Sequence, residues 1–452
     1  GPMLLGIVLL VGIAFICNYT GATRHNRELL NCMITYTLLA SLTVTSFFSM
    51  VVTRYIADML YEERHEAVLS SFWGSTAILL VVGGIMYGIF LLFSGINLID
   101  QFLCLEFFGE LIVTWNAMSY LTAIKDYKGI LISFITAVAV SLLVGFLLIL
   151  IGIPHVEALM IAVTIGYGIM LLWDVTLLYR YFPQSEISAF FFLRWVDQFL
   201  AFTGLFTNIG LFAHLVIMWC GPIRVHVQGL FYGAPYHDVP AMIAYLTILI
   251  TTVNFVVSVE VNFYPKYQIY FGLFNHGGTL IDIENARDDM IETLLKELSY
   301  AFAKQFFATV VFIVGGTLLI PRLPFGFTEE MLGIYRVLCV GYAFYATGNC
   351  IMLMSLYFAD NVGALLSSVA YAVCSVLGTW FTMNGDSRYY GFGFLIAGII
   401  FTATALMRLI SYLKKLDYHV ISKQPLIQSK KTGPATRLSR KLEERYCEKE
   451  KI

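Results

Sequence analysis

The sequence predicts an all-α protein that crosses a membrane many times. Hydrophobic residues make up 59% of the chain and charged residues 13%, whereas soluble domains contain about twice that charged fraction. The mean hydropathy is +0.78. Apolar runs long enough to cross a hydrocarbon layer of about 30 Å recur between short polar breaks, and these breaks leave no room for a soluble domain.

We expect about twelve transmembrane helices in two groups of six. Their approximate bounds are 3–19, 31–55, 69–94, 101–124, 129–152, 157–182, 190–219, 239–263, 298–320, 331–357, 362–383 and 389–412. Such a layout is typical of two six-helix bundles related by a pseudo-twofold axis along the membrane normal. We therefore predict an N-terminal bundle over 1–183, a C-terminal bundle over 184–420, and a basic, disordered tail over 421–452.

Composition and motifs also exclude several classes of function. The net charge of −2 argues against a nucleic-acid partner. The eight cysteines are scattered and form no CxxC pair, so we expect neither a metal site nor a disulfide framework. No HExxH, GxSxG or Walker motif is present, so we expect no enzymatic activity and no cofactor. Lysine and arginine are more numerous in one set of loops and in the tail than in the opposite loops. This bias predicts that both termini are cytoplasmic.

A polar stretch at 173–198 joins the two halves. It contains Asp174, Arg180, Arg194 and Asp197 around one short break. An ionisable group deep in a bilayer costs about 2.5–3.5 kcal/mol on insertion scales, so such groups usually face a protein interior or a wet cavity. Two interpretations remain open: the four residues neutralise one another and pin two helices together, or they line a transport path between the bundles.

The fourth predicted helix supplies the other acidic candidates for a transport path. Glu106 and Glu110 are one helical turn apart, and Glu110 falls near the middle of the span. Carboxylates at this depth could bind a cation, accept a proton or receive sugar hydroxyls, or a single protonated glutamate could bond a neighbouring helix. Asn208, Glu260 and Arg336 are further candidates for the path or its rims, with interhelical hydrogen bonding as the alternative for Asn208.

Two regions are expected at the cytoplasmic face. Arg54 and Asp58 have i,i+4 spacing at the end of the second span, and they form either an interfacial anchor or part of a cytoplasmic gate. Residues 279–297 predict an amphipathic helix with an acidic face, which anionic lipid would repel. That face is either a solvated surface or a docking site for a protein partner. The docking candidates are Ile283, Asp288, Asp289 and Glu292.

Several long segments resemble one family, PelG, the transporters of the Pel exopolysaccharide system. The segments are VVTRYIADMLYEERHEAVLSS (51–71), YPKYQIYFGLFNHGGTLIDIENARDDMIETLLKEL (264–298), YYGFGF (389–394) and KKLDYHVISKQPL (414–426). The opening GPMLL is similar to the SGPW-type start of that family's first span, which favours Gly1 and Pro2 as native residues. The resemblance extends to about Leu426.

The resemblance implies a MOP-superfamily fold, alongside MATE exporters, with a V-shaped pair of six-helix bundles that enclose a central cavity. It also implies export of a polymer rich in N-acetylgalactosamine (GalNAc) for the biofilm matrix. The expected partners are a PelF-like cytoplasmic glycosyltransferase, PelD- and PelE-like membrane subunits, and the lipid bilayer of the bacterial inner membrane. The family supplies no set of transport residues, so the candidates above rest on burial and charge.

We therefore expect a polysaccharide exporter within a membrane synthase complex. Two alternatives stay open. One is a cation-coupled flippase for lipid-linked sugars, or a MATE-like antiporter, in which the buried carboxylates carry H⁺ or Na⁺. The other is a non-transporting membrane anchor that recruits soluble enzymes through the acidic helix at 279–297.

Overall fold

The structure is a computed structural model that describes residues 2–184, 188–322, 327–422 and 434–449. Its helices are α1 Pro2–Tyr19, α2 Arg24–Tyr61, α3 Glu66–Phe93, α4 Leu98–Ala123, α5 Tyr127–Ile151, α6 His155–Tyr181, α7 Gln198–Met218, α8 Pro235–Tyr245, α9 Leu249–Ser258, α10 Tyr264–His276, α11 Leu280–Leu319, α12 Glu329–Tyr357, α13 Asn361–Met383, α14 Phe392–Leu413, α15 Leu416–Ser422 and α16 Pro434–Lys449. Shorter elements are 3-10 turns at Phe191–Trp195, Leu246–Ile248, Ile320–Arg322 and Ser387–Tyr389, and a π-helical turn at Val259–Phe263. An antiparallel hairpin pairs β1 Val225–Gln228 with β2 Phe231–Gly233.

The predicted all-α polytopic membrane fold is confirmed. Ten helical segments in the described ranges are long and apolar enough to cross a membrane. α4 is not among the ten, and it contains three acidic residues, Asp100, Glu106 and Glu110, which lower its hydropathy. The apolar part of α1, Val8–Tyr19, is shorter.

Contacts divide the chain into two compact units. Unit 1 comprises Gly1–Asn208, Arg224–Gly233 and Gln428–Ile452, and unit 2 comprises Ile209–Ile223 and Ala234–Ile427. Within its described residues, unit 1 therefore contains α1–α6, the hairpin, α16 and the first half of α7. Unit 2 contains the rest of α7 and α8–α15. The bundle boundaries expected from the sequence, 1–183 and 184–420, stay a prediction.

α11 joins the predicted amphipathic helix and the following span into one helix of 40 residues. The Thr279 hydroxyl accepts the N–H of Asp282 while the Asp282 carboxylate accepts the N–H of Thr279, a capping box that fixes the start. No glycine or proline interrupts the helix before Gly315. At 1.5 Å per residue α11 is about 60 Å long, about twice the bilayer core of about 30 Å, so part of it must extend outside the membrane.

The tail expected to be disordered contains a helix where the structure describes it. α16 places Thr436 and Ser439 at buried positions, and Leu442 packs against the hydrophobic core of unit 1. These positions are three residues apart and share one helix face. α16 contacts the 3-10 turn at Phe191–Trp195. The helix thus has an apolar attachment within unit 1, which the basic composition of the tail does not reveal.

Replacing Gly74 with alanine should destabilise unit 1. A Cβ atom at this position of α3 would lie 1.9 Å from the backbone oxygen of Ala189, so the segment at Ala189 would have to shift. We expect a loss of about 1–3 kcal/mol, as in overpacked cores, visible as a lower thermal unfolding temperature. Gly84→Ala on the same helix is the matched control, because a Cβ there meets no atom within 4 Å. Equal unfolding temperatures for the two variants would contradict the close approach.

Candidate functional site

Glu110 of α4 is an acidic side chain with unused hydrogen-bonding capacity. Its Oε2 atom is buried and has no hydrogen-bond partner in the described part of the chain. A Cβ atom placed on Gly168 of α6 would lie 3.0 Å from Oε1 of Glu110, so the missing side chain at Gly168 makes room for the carboxyl group. Leaving a buried polar group unsatisfied costs about 1–3 kcal/mol, and more for a charged one. Oε2 of Glu110 therefore retains an unused hydrogen-bond acceptor.

Asp174 of α6 is a second acidic side chain with unused hydrogen-bonding capacity. The residue is fully buried, and among the described residues neither carboxylate oxygen has a hydrogen-bond partner. The nearby Ser133 of α5 donates its hydroxyl proton to the carbonyl of Ile130 instead. Asp174 follows Gly168 by six residues, about 9 Å along the helix axis. α6 thus packs against Glu110 of α4 at Gly168 and itself carries Asp174, which lies near Ser133 of α5.

Two neutral polar side chains of α4, in contrast to these acids, make hydrogen bonds to neighbouring helices. The Asn116 amide donates to the hydroxyls of Ser75 and Thr76 of α3, both at 2.8 Å. The Trp115 indole N–H donates to the hydroxyl of Ser41 on α2 at 3.0 Å. Interhelical hydrogen bonds of this kind contribute about 0.6–2 kcal/mol each in membranes. They hold α4 against α2 and α3, and so they position Glu110, which lies less than two turns away.

Glu106 differs from Glu110 in its surroundings. It lies one turn earlier and is exposed within unit 1, on a face of α4 that also exposes Leu98, Phe102 and Leu105. The two glutamates predicted as a pair therefore divide into one half-buried group that packs towards α6 and one exposed group. This difference makes Glu106 a matched control for Glu110.

The other charges of the 173–198 stretch have local roles. Arg180 is exposed. The Arg194 guanidinium stacks on the Phe191 ring, 4.8 Å from its centroid, and the Asp197 carboxylate accepts the N–H of Phe199 at 2.9 Å at the start of α7. Since both Asp174 oxygens lack a partner within the described ranges, Asp174 is not neutralised by a hydrogen-bonded pair there.

The remaining path and gate candidates lie apart from Glu110 and Asp174. The Asn208 amide donates to the carbonyl of Gly204 in its own helix at 3.4 Å, and Arg336 donates to the Thr317 hydroxyl at 3.1 Å. Glu260 lies in the π-helical turn at Val259–Phe263, an element often found at functional sites.

Arg54 and Asp58, the gate candidate, form an exposed ion pair at 3.1 Å on α2. Pairs of this kind contribute only about 0.3–0.5 kcal/mol.

The docking candidates on α11 differ in accessibility. Ile283 is partly buried and packs against a core cluster of unit 2, and Asp289 pairs with Lys266 at 2.5 Å. Asp288, which pairs with Arg287 at 2.9 Å, is exposed, and so is Glu292. The face open to solvent is therefore rotated away from Ile283.

Two charged clusters in unit 2 were not anticipated. Arg408 of α14 makes two hydrogen bonds, at 2.7 and 2.9 Å, to the buried carboxylate of Asp360 at the start of α13. Asp417 accepts hydrogen bonds from the Tyr270 hydroxyl, at 2.6 Å, and from Arg287. The hydrogen-bonded partners in these clusters are 48 to 147 residues apart in sequence, so no local spacing pattern could predict the clusters.

Metal ligation has no geometric support in the described ranges. No group of three or more His, Cys, Asp or Glu side chains there is arranged to hold a metal ion. Glu110 and Asp174 are instead suited to bind a proton, or a neutral ligand rich in N–H and O–H donors.

Solved structures share this fold. An inward-facing multidrug resistance MATE transporter of the MOP superfamily superposes with a TM-score of 0.60 and 13% identity, covering 93% of this chain and 96% of that chain. An outward-facing one gives a TM-score of 0.63 and 13% identity over 92% and 94% of the chains. A MOP-superfamily transporter from Pyrococcus furiosus gives 0.58 and 13% over 92% and 94%. At such identities the likeness shows the fold alone.

The family comparison identifies the group to which the chain belongs. No curated protein sequence matches the chain. Residues 1–421 match the family described as "PelG: Putative exopolysaccharide Exporter (EPS-E)". That match covers most of the 452 residues, and it agrees with the MOP-superfamily fold. The chain therefore belongs to the PelG family and is a multi-pass membrane transporter.

Proposed function

We propose that this protein exports a GalNAc-rich, Pel-type exopolysaccharide across the bacterial cytoplasmic membrane. The observation that carries the proposal is the family match over residues 1–421. The transporter fold supports it, because the cargo must cross a bilayer. Export would proceed within a membrane synthase complex, with both termini of the transporter in the cytoplasm.

Glu110 and Asp174, whose buried oxygens Oε2, Oδ1 and Oδ2 have no hydrogen-bond partner among the described residues, suit such a cargo. A GalNAc unit carries no charge and offers several hydroxyl donors and one amide N–H. A carboxylate oxygen accepts such donors, and hydrogen bonds to charged groups contribute about 1.5–3 kcal/mol. Glu110 has the better access, because it is half-buried whereas Asp174 is fully buried. We therefore assign the cargo contact to Glu110 and a supporting role inside the bundle to Asp174.

Deleting the gene in a polymer-producing bacterium tests this function. Surface polymer, measured with a GalNAc-binding lectin, should fall to background and return when the chain is supplied from a plasmid. Glycosyltransferase activity in membrane extracts should persist, because synthesis precedes export. Undiminished surface polymer in the deletion strain would contradict the proposal.

A cation-coupled flippase or antiporter is the second candidate, and the same unpartnered carboxyl groups favour it. It predicts two observations that the first candidate does not. Lipid-linked sugars should accumulate in membranes of the deletion strain, and export should stop when the ion gradient is collapsed while nucleotide-activated GalNAc is still present. Synthesis-driven export should continue under that treatment.

The exposed face of α11 is a candidate surface for the synthase partners. Ile281, Glu284, Asp288, Glu292 and Leu295 follow one another at three- or four-residue steps, so they form one stripe. Ile281 is 70% exposed and Leu295 41%, and the three acids are exposed. Because no charged residue occurs from Gln305 to Leu319, the membrane-crossing part is the second half of α11. The stripe therefore lies in the part that projects beyond the bilayer.

We propose that this stripe contacts a basic surface of a PelF-like glycosyltransferase, with PelD- and PelE-like subunits as further partners. Charge complementarity raises association rates and selects partners. The exposed apolar residues at its two ends, Ile281 and Leu295, would bury apolar surface in the contact.

Reversing two charges on the stripe should disrupt this contact. The double variant Glu284→Lys/Glu292→Lys should reduce copurification of the glycosyltransferase by about tenfold or more, equivalent to about 1.4 kcal/mol. Both residues are exposed, so folding should be unaffected. Glu62→Lys, at the end of α2, is the control for a charge change elsewhere. Unchanged copurification in the double variant, at normal protein abundance, would rule out the stripe as the contact.

A further inference from the structure

Unit 2 contains a buried chain of hydrogen bonds between three of its helices. His214 of α7 and His237 of α8 are both fully buried. Nδ1 of His214 lies 2.9 Å from Nε2 of His237, and Nε2 of His214 lies 3.2 Å from the Tyr342 hydroxyl of α12. Each His214 nitrogen is thus engaged, and the chain runs from the tyrosine through both imidazoles to Nδ1 of His237.

The histidine end of this chain holds two unsatisfied atoms on neighbouring residues. Within the described ranges, Nδ1 of His237 and Oδ1 of Asp238 are buried and have no hydrogen-bond partner. A buried polar atom without a partner costs about 1–3 kcal/mol, and native structures retain such atoms rarely and often for a functional reason. Here one atom is a nitrogen and the other a carboxylate oxygen.

The second oxygen of Asp238 indicates its charge. It accepts the indole N–H of Trp219 and the backbone N–H of Ala234, each at 2.9 Å. Two N–H donors on one oxygen favour the ionised form of a carboxyl group. Ionised carboxylates in membrane-spanning segments commonly pair with a group of opposite charge. His237 immediately precedes Asp238 in the chain, and it is hydrogen-bonded to His214.

In the described part of the chain, aromatic rings, tyrosine hydroxyls and a cysteine thiol lie around the histidine pair and Tyr342. The Phe394 ring lies 4.3 Å from the His214 ring, and the Tyr245 ring lies 5.5 Å from that of Tyr342. The titratable groups that face the pair or Tyr342 are Asp238, Tyr245, Cys339, Tyr345 and Tyr371. Tyrosine and cysteine are ordinarily neutral at pH 7. The acid–base behaviour of the cluster therefore depends on His214, His237 and Asp238.

We propose that His214, His237 and Asp238 form a proton-binding site inside unit 2. The incoming proton adds to a nitrogen lone pair of the histidine pair and is shared across the N–H···N contact, and the Asp238 carboxylate balances the imidazolium charge. Release of the proton returns the neutral pair, and no other bond changes. This site is separate from Glu110 and Asp174 and does not depend on the identity of the exported cargo.

Nitrogen NMR of the full chain tests the site. The protein is labelled with ¹⁵N-histidine, placed in lipid nanodiscs and recorded from about pH 5 to 9, the range that brackets histidine titration. The chain has eight histidines. We expect one imidazolium proton signal that is coupled to nitrogens of two different histidines, His214 and His237. It should be lost in His214→Gln and in His237→Gln, and retained in His226→Gln, because His226 is exposed on the β1 strand. Thermal unfolding verifies that each variant is folded.

Asp238→Asn provides a second variant that preserves packing. Its side-chain oxygen can still accept the Trp219 and Ala234 N–H groups, but the negative charge is removed. The shared imidazolium signal should vanish in this variant. The proposal is overturned if wild-type protein shows no imidazolium signal assignable to the pair at any pH, or if the signal survives in folded Asp238→Asn protein.

Discussion

Replacing Glu110 with alanine is expected to reduce surface exopolysaccharide by about 10- to 100-fold. The alanine variant cannot make the proposed charge-assisted hydrogen bond to the cargo, which contributes about 1.5–3 kcal/mol. Each 1.4 kcal/mol corresponds to a factor of ten. Protein abundance and thermal stability should be unchanged, because Oε2 of Glu110 has no hydrogen-bond partner in the described residues that could be lost. Lectin binding to intact cells, normalised to transporter abundance, measures the effect.

The variant Glu110→Gln distinguishes direct binding of the cargo by Glu110 from cation coupling through Glu110. Glutamine keeps one carbonyl acceptor for sugar hydroxyls but cannot take up a proton or balance a sodium ion. Direct cargo binding therefore predicts partial export, and cation coupling predicts the same loss as in Glu110→Ala. Glu106→Gln, one turn away on the exposed face of α4, should export normally. A loss in Glu106→Gln as large as in Glu110→Ala would contradict the assignment of the contact to Glu110.

Replacing Arg408 with alanine should produce the largest loss of stability. Arg408 makes two hydrogen bonds to Asp360, whose side chain is only 4% exposed. Removing one partner of a buried pair costs about 3–5 kcal/mol because the other charge remains buried and uncompensated. The Arg408 side chain is 41% exposed, so water can partly replace it, and we expect about 2–4 kcal/mol.

One conservative variant and one control test whether the Asp360 pair causes this loss of stability. Arg408→Lys keeps the charge but cannot form both hydrogen bonds in one plane, so its unfolding temperature should fall between wild type and alanine. Arg24→Ala removes an exposed i,i+4 partner of Glu28 and should leave the unfolding temperature unchanged. An Arg408→Ala protein as stable as wild type would show that the Asp360 pair has no net stabilising role.

The membrane fold could be predicted because its signal is local. Each apolar run must satisfy its own backbone groups as a helix in lipid, so the hydropathy of about 20 residues determines each element. The start of α11 was also predictable, since Thr279 and Asp282 have capping-box spacing. That α11 is continuous from Leu280 to Leu319 was missed, because the change from an acidic face to an apolar span reads as a boundary.

The polar sites were only partly predictable. Glu110 and Asp174 stood out because carboxylates are rare in apolar helices, but the role of Gly168 in making room for Glu110 depends on helix packing. His237 and Asp238 lie just before a predicted span, where a sequence suggests a loop, and only the structure brings His237 to His214. The β1–β2 hairpin was missed because its strands are short: β1 alternates apolar and polar residues over only four positions, the minimum length for that signal.

Export by inverted membrane vesicles tests the central claim most directly, which is that the chain moves polymer across the bilayer by way of Glu110. Vesicles containing the transporter and its glycosyltransferase receive nucleotide-activated GalNAc, and a polymer-degrading glycosidase is then added outside. We predict that polymer made by wild-type vesicles is protected in the lumen, whereas polymer made by Glu110→Ala vesicles is digested. Equal digestion in both, or equal protection in both, would contradict the account.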